Sequence, residues 1–390
     1  MSCGDNCGRR GTIYRAHGEG TAVGRTEVVR HRIRKNVDQP EIEIKQNVLL
    51  AALTTMRVGG LADQFATVNE THQLIKLVRW ARANSIPYLL LGGGSNVLIS
   101  DQGVRGLVIH NRCRQVRVDQ LLYCEIDRGK EAFLFVESGA ATAGAARISI
   151  REGLTGFEWA VSVPGTIGGA VVNNAGAHGG AVQDNLENVL VLAADSQDET
   201  GKTISGDVVD YQLVDLAYGY RESALKHKPN RKKVSEQLAI NSEQTTSERV
   251  RPAIRKAGFD AVVLSANFRL RYSNDGVRSK NAEEPQTSPK AMADKFLAHR
   301  RSTQPSEPSL GSMFMNPPDS YAGSLIESAG LKGLRIGGAQ ISPLHANFMI
   351  NKGVATASDI LSLVEHVQMQ VAEQSGINLV PEIQLVGEWD

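Results

Sequence analysis

The sequence predicts an α+β protein of more than one domain, and three observations carry that prediction. Apolar residues recur at helical spacing in some segments and in short unbroken runs in others, and the two kinds alternate along the chain. Two glycine-rich stretches, 92–96 and 163–177, sit between strand candidates. At 390 residues the chain exceeds what one ordinary core organises, so two or three domains are expected.

Residues 1–47 are rich in Gly, Arg and polar residues without sustained period, and are expected to form a flexible extension. Its basic run, 30–35, reads as a solvated tail before it reads as an interaction arm. From Val48 the texture changes. Leu74, Leu77, Val78 and Ala81 predict a helix over 71–84, followed by a buried strand at 88–91, the Gly92–Asn96 loop and a strand at 107–109. Strands are expected at 133–138, 189–194 and 262–270. Residues 226–257 turn abruptly to Lys, Arg, Ser, Glu and Gln and read as a solvent-exposed insertion, and 273–290, with Pro285 and Pro289, as a linker. These breaks divide the chain into a larger region, 48–272, and a smaller α+β region, 285–390. In the latter, 321–329 predicts a short helix closed by Gly330, Ile360, Leu363, Val364, Val367 and Val371 mark one face of a longer helix, and 382–386 predicts a closing strand.

Composition excludes several function classes. A formal net charge of +1 removes the electrostatic argument for a nucleic-acid binder. No apolar run approaches the ~20 residues that span a bilayer, and residues 1–40 lack the apolar core of a secretory signal, so a cytoplasmic protein without membrane insertion is expected. Cys3, Cys7, Cys113 and Cys124 are too few and scattered for a disulfide framework, and no metal site is expected; Cys3 and Cys7 lack the second pair a zinc site needs. The oligomeric state is open, with a monomer favoured.

The glycine-rich stretches carry the chemistry. In Gly92-Gly93-Gly94-Ser95-Asn96 the missing side chains let backbone N–H groups approach a phosphate, with Ser95 and Asn96 as added donors; three glycines after a strand also make a tight turn. The segment from Val163 through Pro164, Gly165, Thr166, Ile167, Gly168, Gly169 and Asn174 to Ala177 joins a proline-fixed turn to small residues that admit a flat ligand and amides that bond a heterocycle edge. Tight packing of two backbones accounts for its glycines and alanines but not for Thr166 and Asn174. Neither stretch matches the G-x-G-x-x-G dinucleotide fingerprint or a P-loop.

Six strings in order then resemble one family: Thr54-Thr55-Met56-Arg57-Val58-Gly59-Gly60; Gly92 to Asn96; Pro164 to Ala177; Tyr218-Gly219-Tyr220-Arg221-Glu222-Ser223; Gly311-Ser312-Met313-Phe314-Met315-Asn316-Pro317; and Leu379-Val380-Pro381-Glu382. The sequence is similar in these to the UDP-N-acetylenolpyruvoylglucosamine reductases, the MurB family. The resemblance implies an FAD-binding domain of the vanillyl-alcohol-oxidase (PCMH) type in two subdomains, then a C-terminal α+β substrate-binding domain. It implies NADPH as co-substrate and a UDP-sugar as small-molecule substrate in peptidoglycan synthesis.

By match, Arg57, Gly92, Gly93, Gly94, Ser95, Asn96, Pro164, Gly165, Thr166, Gly168, Gly169, Asn174, Ala175, Gly176 and Ala177 are expected to contact FAD. Ser95 stands where related oxidases carry a flavin-linking histidine, so non-covalent FAD is expected. Arg221, Ser312 and Glu382 match catalytic positions, and the chemistry suits them. A guanidinium can grip a carboxylate that gains charge, a hydroxyl held within ~3 Å can deliver a proton to carbon, and a carboxyl can orient the same substrate end as partner of Arg221 or in protonated form. Tyr220, Ser223, Arg301, Gln304 and Asn316 are expected substrate contacts, with Arg301 on the pyrophosphate. Met315 replaces the family's common lysine, which puts its charge contact in doubt. The short step from Pro317 to the 321–329 helix resembles the compact subclass without a substrate-covering tyrosine loop. The competing readings are an FAD-linked oxidase of the same fold and an inactive cell-wall scaffold.

Overall fold

The structure, a computed structural model, describes residues 39–120, 131–197, 203–204, 206–226, 254–255, 261–273 and 288–389. Most of the expected N-terminal extension, nearly all of the 226–257 insertion and the 274–287 part of the linker therefore lie outside the described residues, as do Cys3, Cys7 and Cys124. Cys113 is buried, and burial, with Glu137 beside it, pushes its thiol up to about 12.

The first sheet has the order Lys45–Leu49, Leu61–Val68, Val104–Asn111, Tyr88–Leu91, its first pair antiparallel and the others parallel. Helix Thr71–Ala83 turns Leu74, Leu77, Val78 and Ala81 inward, all fully buried against Ala66, Val68, Leu107 and Ile109. A second, antiparallel sheet is organised by Val262–Tyr272, which pairs with Leu186–Leu192 on one side and Glu131–Glu137 on the other. Over it lie helices Thr142–Arg151 and Ile167–Val172, with Phe157 packed on Phe268 at a ring separation of 4.7 Å. The last sheet runs Ser309–Ser312, Phe348–Asn351, Ala339–Ile341, Arg335–Ile336. It is backed by Ala322–Ser328 and by Ala357–Ser375, whose buried face is Ile360, Leu363, Val364, Val367 and Val371, and Gly376 at φ +70° ends the latter helix.

Three differences from the sequence reading matter for the site. The glycine-rich 163–177 stretch is not all loop: Thr166 leads into the short helix Ile167–Val172, and Gly168 lets it approach Ser138, whose Cβ would lie 3.0 Å from an added Cβ. The expected linker ends in a helix that periodicity did not show, Pro289–Thr303, opened by the Ser288 hydroxyl, which accepts from Ala291 N at 3.2 Å. Within the expected insertion, Ile254–Arg255 forms a strand parallel to Gln384–Val386, which also lies parallel to Val97–Ile99. The end of the chain is thus stitched beside the strand that leaves the Gly92–Asn96 loop.

A second stitch binds the same parts. The Asp101 carboxylate accepts from Ala357 N (2.8 Å), Ser358 N (2.9 Å) and Ser358 Oγ (2.8 Å), satisfying the first turn of the 357–375 helix from 256 residues away in sequence. Asp101→Ala should lower the unfolding free energy by about 1–2 kcal/mol, the usual range for losing a helix cap. The urea midpoint of the full chain measures this, and an unchanged midpoint would show the helix start satisfied by other groups.

Candidate functional site

The strand Tyr88–Leu91 delivers Gly92–Asn96 against the turn at 163–166, and the approach is closer than side chains permit. A Cβ on Gly93 would lie 2.9 Å from Gly165 Cα, and one on Gly94, at φ +61°, 2.2 Å from Leu53 O. Backbone packing alone therefore requires glycine there. Gly169 differs: a Cβ added to it would meet nothing nearer than Thr166 Oγ1 at 4.0 Å, and its bare backbone faces a cleft.

Two cavities adjoin along this double loop and share Ser95, Asn96, Thr166, Gly169 and Asn173. The first follows 88–97 and the Gly168 backbone to Asn111, Ser138 and 261–263. The second lies between Pro164, Gly165 and Ala175–Ala177 on one side and Leu310, Gly311, Ser312, Arg221, Arg300, Gln304, Phe348 and Glu382 on the other. Both are open clefts, about 1020 and 870 Å³ with the solvent at their mouths included. Together they make one trough, polar and glycine-lined at the loop and charged at its far end.

The structure brings Arg221, Ser312 and Glu382 into the same cleft. Arg221 Nε lies 2.8 Å from Glu382 Oε1, but the N–H is not aimed along that line, so the contact is an ion pair and Nε is buried without a hydrogen bond. Its Nη2 donates to Gly176 O at 3.3 Å, and the backbone that presents it is left-handed, at φ +58°. Glu382 is fixed through its main chain. Its N–H donates to Met313 O at 2.8 Å, and its carbonyl accepts from Asn96 Nδ2 at 3.2 Å. Burial raises the Glu382 carboxyl above its ordinary range, and the nearby Arg221 and Lys226 work against that rise. Ser312, at the end of its strand opposite Phe348, stands between this cleft and a third pocket lined by Asn316, Tyr321, Ser324, Glu327, His345 and Asn347.

Other expected residues fall elsewhere. Asn174 is buried with its amide committed to Gln183 Oε1 (2.8 Å) and Gly219 O (2.9 Å), and Ser223 Oγ donates to Val172 O at 2.6 Å, so both hold the framework. Tyr220 is 59% exposed, its ring 5.5 Å from the Arg221 guanidinium, and is not a cleft residue. Arg57 sits exposed at φ +60° in a turn outside both cavities. Asn316 lines the third pocket while its Oδ1 accepts from Ala322 N at 3.1 Å. Arg301 is exposed and faces away; the cleft instead receives Arg300 and, one helical turn on, Gln304. The sequence reading missed Arg300, although its i, i+4 spacing to Gln304 was a usable signal.

Known proteins resemble the chain throughout. The family model described as UDP-N-acetylenolpyruvoylglucosamine reductase, C-terminal domain, matches residues 304–386, and one described as FAD binding domain matches 62–201. A UDP-N-acetylenolpyruvoylglucosamine reductase of Synechococcus sp. (strain RCC307) is 37% identical over 348 residues, 89% of this chain and 95% of its own length. That of Chloroflexus aurantiacus is 34% identical over 337 residues, 86% and 95% respectively. The solved UDP-N-acetylenolpyruvylglucosamine reductase (MurB) from Thermus caldophilus aligns with a TM-score of 0.60 and 29% identity, covering 88% of this chain and 99% of its own.

Acid sensitivity follows from three histidines. Burial first, and nearby cations second, hold His110 and His178 below 6.5, and burial does the same for His345. A depressed histidine means the unfolded chain binds protons more readily, so this stability is complete above about pH 6.5 and is lost as pH falls below it. The thermal midpoint should drop on going from about pH 7.5 to about pH 5.5, and a flat profile would count against the three half-buried imidazoles.

Proposed function

This chain belongs to the UDP-N-acetylenolpyruvoylglucosamine reductase family, and from that premise we propose a role for each side chain of the cleft. The protein is an FAD-dependent oxidoreductase that reduces the enolpyruvyl ether of a UDP-sugar at the expense of NADPH, in peptidoglycan precursor synthesis. The trough fits that cofactor: a bare backbone floor at Gly169, small residues at Ala175–Ala177 and a loop of close-packed glycines beside Ser95 and Asn96 leave room for a flat ring joined to a diphosphate. FAD held in this trough would supply the hydride chemistry that links NADPH to the enolpyruvyl group. With Ser95 in the loop, we read the attachment as non-covalent.

The remaining chemistry falls to this chain. On our reading Arg221, held by its ion pair with Glu382 and still about one-fifth exposed, grips the substrate carboxylate, where negative charge grows as the double bond is reduced. Glu382, its carboxyl raised by burial and opposed by the nearby cations, holds Arg221 in place and helps orient the same carboxylate. Ser312, whose hydroxyl has no hydrogen-bond partner among the described residues, delivers the proton to the adjacent carbon. Arg300 and Gln304 are our candidates for the diphosphate, in place of the exposed Arg301. We keep a boundary near residue 285 between a mainly cofactor-binding region and a mainly sugar-binding one, with Arg221 reaching the sugar's carboxylate from the first.

We place the enzyme in the cytoplasm, where its two nucleotide substrates occur; among the described residues no helix is long and apolar enough to cross a membrane. The observation that carries the reading is the convergence of Arg221, Ser312 and Glu382 on the glycine-floored trough. Anaerobic NADPH should bleach the purified yellow protein, and the enolpyruvyl UDP-sugar should restore the colour. Rapid bleaching with recovery only on admitting oxygen would favour an oxidase instead.

Two substitutions test the roles. Ser312→Ala should leave bleaching by NADPH nearly normal while slowing recovery with the sugar by on the order of 10²-fold or more. Equal slowing of both halves would contradict the proton-donor role. Arg221→Lys should cost on the order of 10²-fold in the same second half, because a point charge cannot replace a planar fork. Full activity in that variant would remove the bidentate grip.

A further inference from the structure

The hairpin that follows the cofactor bed carries a histidine where the turn itself favours another residue. Gly176–Ala177 and Gly180–Ala181 pair antiparallel around His178 and Gly179, both left-handed at φ +53° and +84°. Asparagine or aspartate before glycine suits such a two-residue turn best, and histidine is tolerated there. What His178 adds is reach. Its ring lies flat on Phe296 at 4.3 Å with the planes 4° apart, and His299 meets it edge-on at 5.8 Å. Its Nε2 is 2.9 Å from Ser162 Oγ, and the carbonyl of that same Ser162 accepts a hydrogen bond from Arg300 Nη1.

One side chain thus ties three walls together. The hairpin supplies Gly176 and Ala177 to the cleft, the 289–303 helix supplies Arg300, and the 158–162 turn supplies the carbonyl that anchors Arg300. We propose that His178 is a positioning residue for the sugar half of the reaction: its neutral imidazole holds Arg300 at the cleft wall, and protonation releases that hold. The inference rests on the assignment of Arg300 to the anionic substrate.

Charge explains the direction. The charged and titratable groups facing His178 are His299 and Arg300 from the helix, with Ser162 from the turn. Glu158, at the head of that turn, is already engaged by Thr155 Oγ1 at 2.6 Å and Gly156 N at 2.8 Å. A proton on His178 therefore adds a second positive charge beside the half-buried Arg300 guanidinium, with no carboxylate facing it among the described residues to offset it. Burial, His299 and Arg300 hold the imidazole below its ordinary range, so the ring is neutral at physiological pH and the tie is in place.

The test uses the FAD-loaded full chain and reads KM for the enolpyruvyl UDP-sugar between about pH 5 and pH 8, with kcat and flavin content alongside. Wild-type KM should rise several-fold as pH falls from the neutral range through the acid end of this window, with flavin content constant. His178→Phe keeps the stack on Phe296 but has no titrating nitrogen and no bond to Ser162. Its KM should be raised several-fold at neutral pH and show no acid rise, while bleaching by NADPH stays close to wild type. His299→Gln should retain the acid rise. In an Arg300→Gln background the acid rise should vanish, and adding His178→Phe should change KM little further, whether or not the single His178 variant is well behaved. A wild-type acid rise that persists in His178→Phe or in Arg300→Gln, or fully additive effects of the two, would overturn the proposal. Failure of the sugar to reoxidise the wild-type enzyme would instead strike at the function itself.

Discussion

The site depends on one strand pairing made by the last residues of the chain. Gln384–Val386 lies parallel to Val97–Ile99, and the pairing begins where Gln384 N donates to Asn96 O at 3.0 Å. Because Asn96 ends the glycine loop and Glu382 stands two residues before the strand, that register sets the Glu382 carboxylate beside the 92–96 loop. The Asn96 side chain reinforces it by donating to Glu382 O. A residue the sequence reading assigned to the cofactor therefore also fixes the position of an acid 286 residues later. Register in a buried strand is not adjustable by one step without reversing which face each side chain takes, so the alignment is fixed to within a hydrogen bond.

The electrostatics of the cleft add little to the stability of the fold. A carboxylate withdrawn from water beside two cations offers little net stability, because desolvation opposes the attraction. Here the opposition is visible: burial raises Glu382 despite Arg221 and Lys226. The Arg221 side chain remains about one-fifth exposed, and its Nε, although 2.8 Å from a carboxylate oxygen, makes no aligned bond. A ligand carboxylate would meet the exposed part of this guanidinium, not its buried Nε. The left-handed backbone at Arg221 is a further sign that local conformation has been given up to aim the side chain.

Much of the fold was legible because burial leaves a periodic trace. The 71–83 and 357–375 helices each turn one apolar face inward, and the strands 88–91 and 262–272 read as apolar runs, so their positions follow from spacing alone. The 289–303 helix escaped for the converse reason: only Pro289 and Ala293 are buried in it, and its remaining apolar contacts, Phe296 and Leu297, are partial. Missing that helix meant missing Arg300, since the choice between Arg300 and Arg301 is a choice of helix face. The pairing of 254–255 with 384–386 was equally invisible, because a two-residue strand carries no period and its partner lies far along the chain. Asn174 suits a ligand contact because an amide among glycines fits either role, and Ser223 because it ends the matched 218–223 string; only their partners, Gln183, Gly219 and Val172, separate contact from framework.

The glycines show how far residue type can be trusted. Those of the 92–94 loop and those of 163–177 look alike in sequence and were assigned alike, yet they meet different demands. Gly93 and Gly94 are glycine because another backbone already occupies the space a side chain would need, a constraint that holds whether or not a cofactor is present. Gly169 has no such neighbour, and among these positions it best fits the argument that a flat ring requires a bare floor. An alanine at Gly94 would strain the fold through Leu53, whereas an alanine at Gly169 would meet only what enters the cleft. The close-packed loop thus shapes the trough from behind, and the open glycine faces its contents.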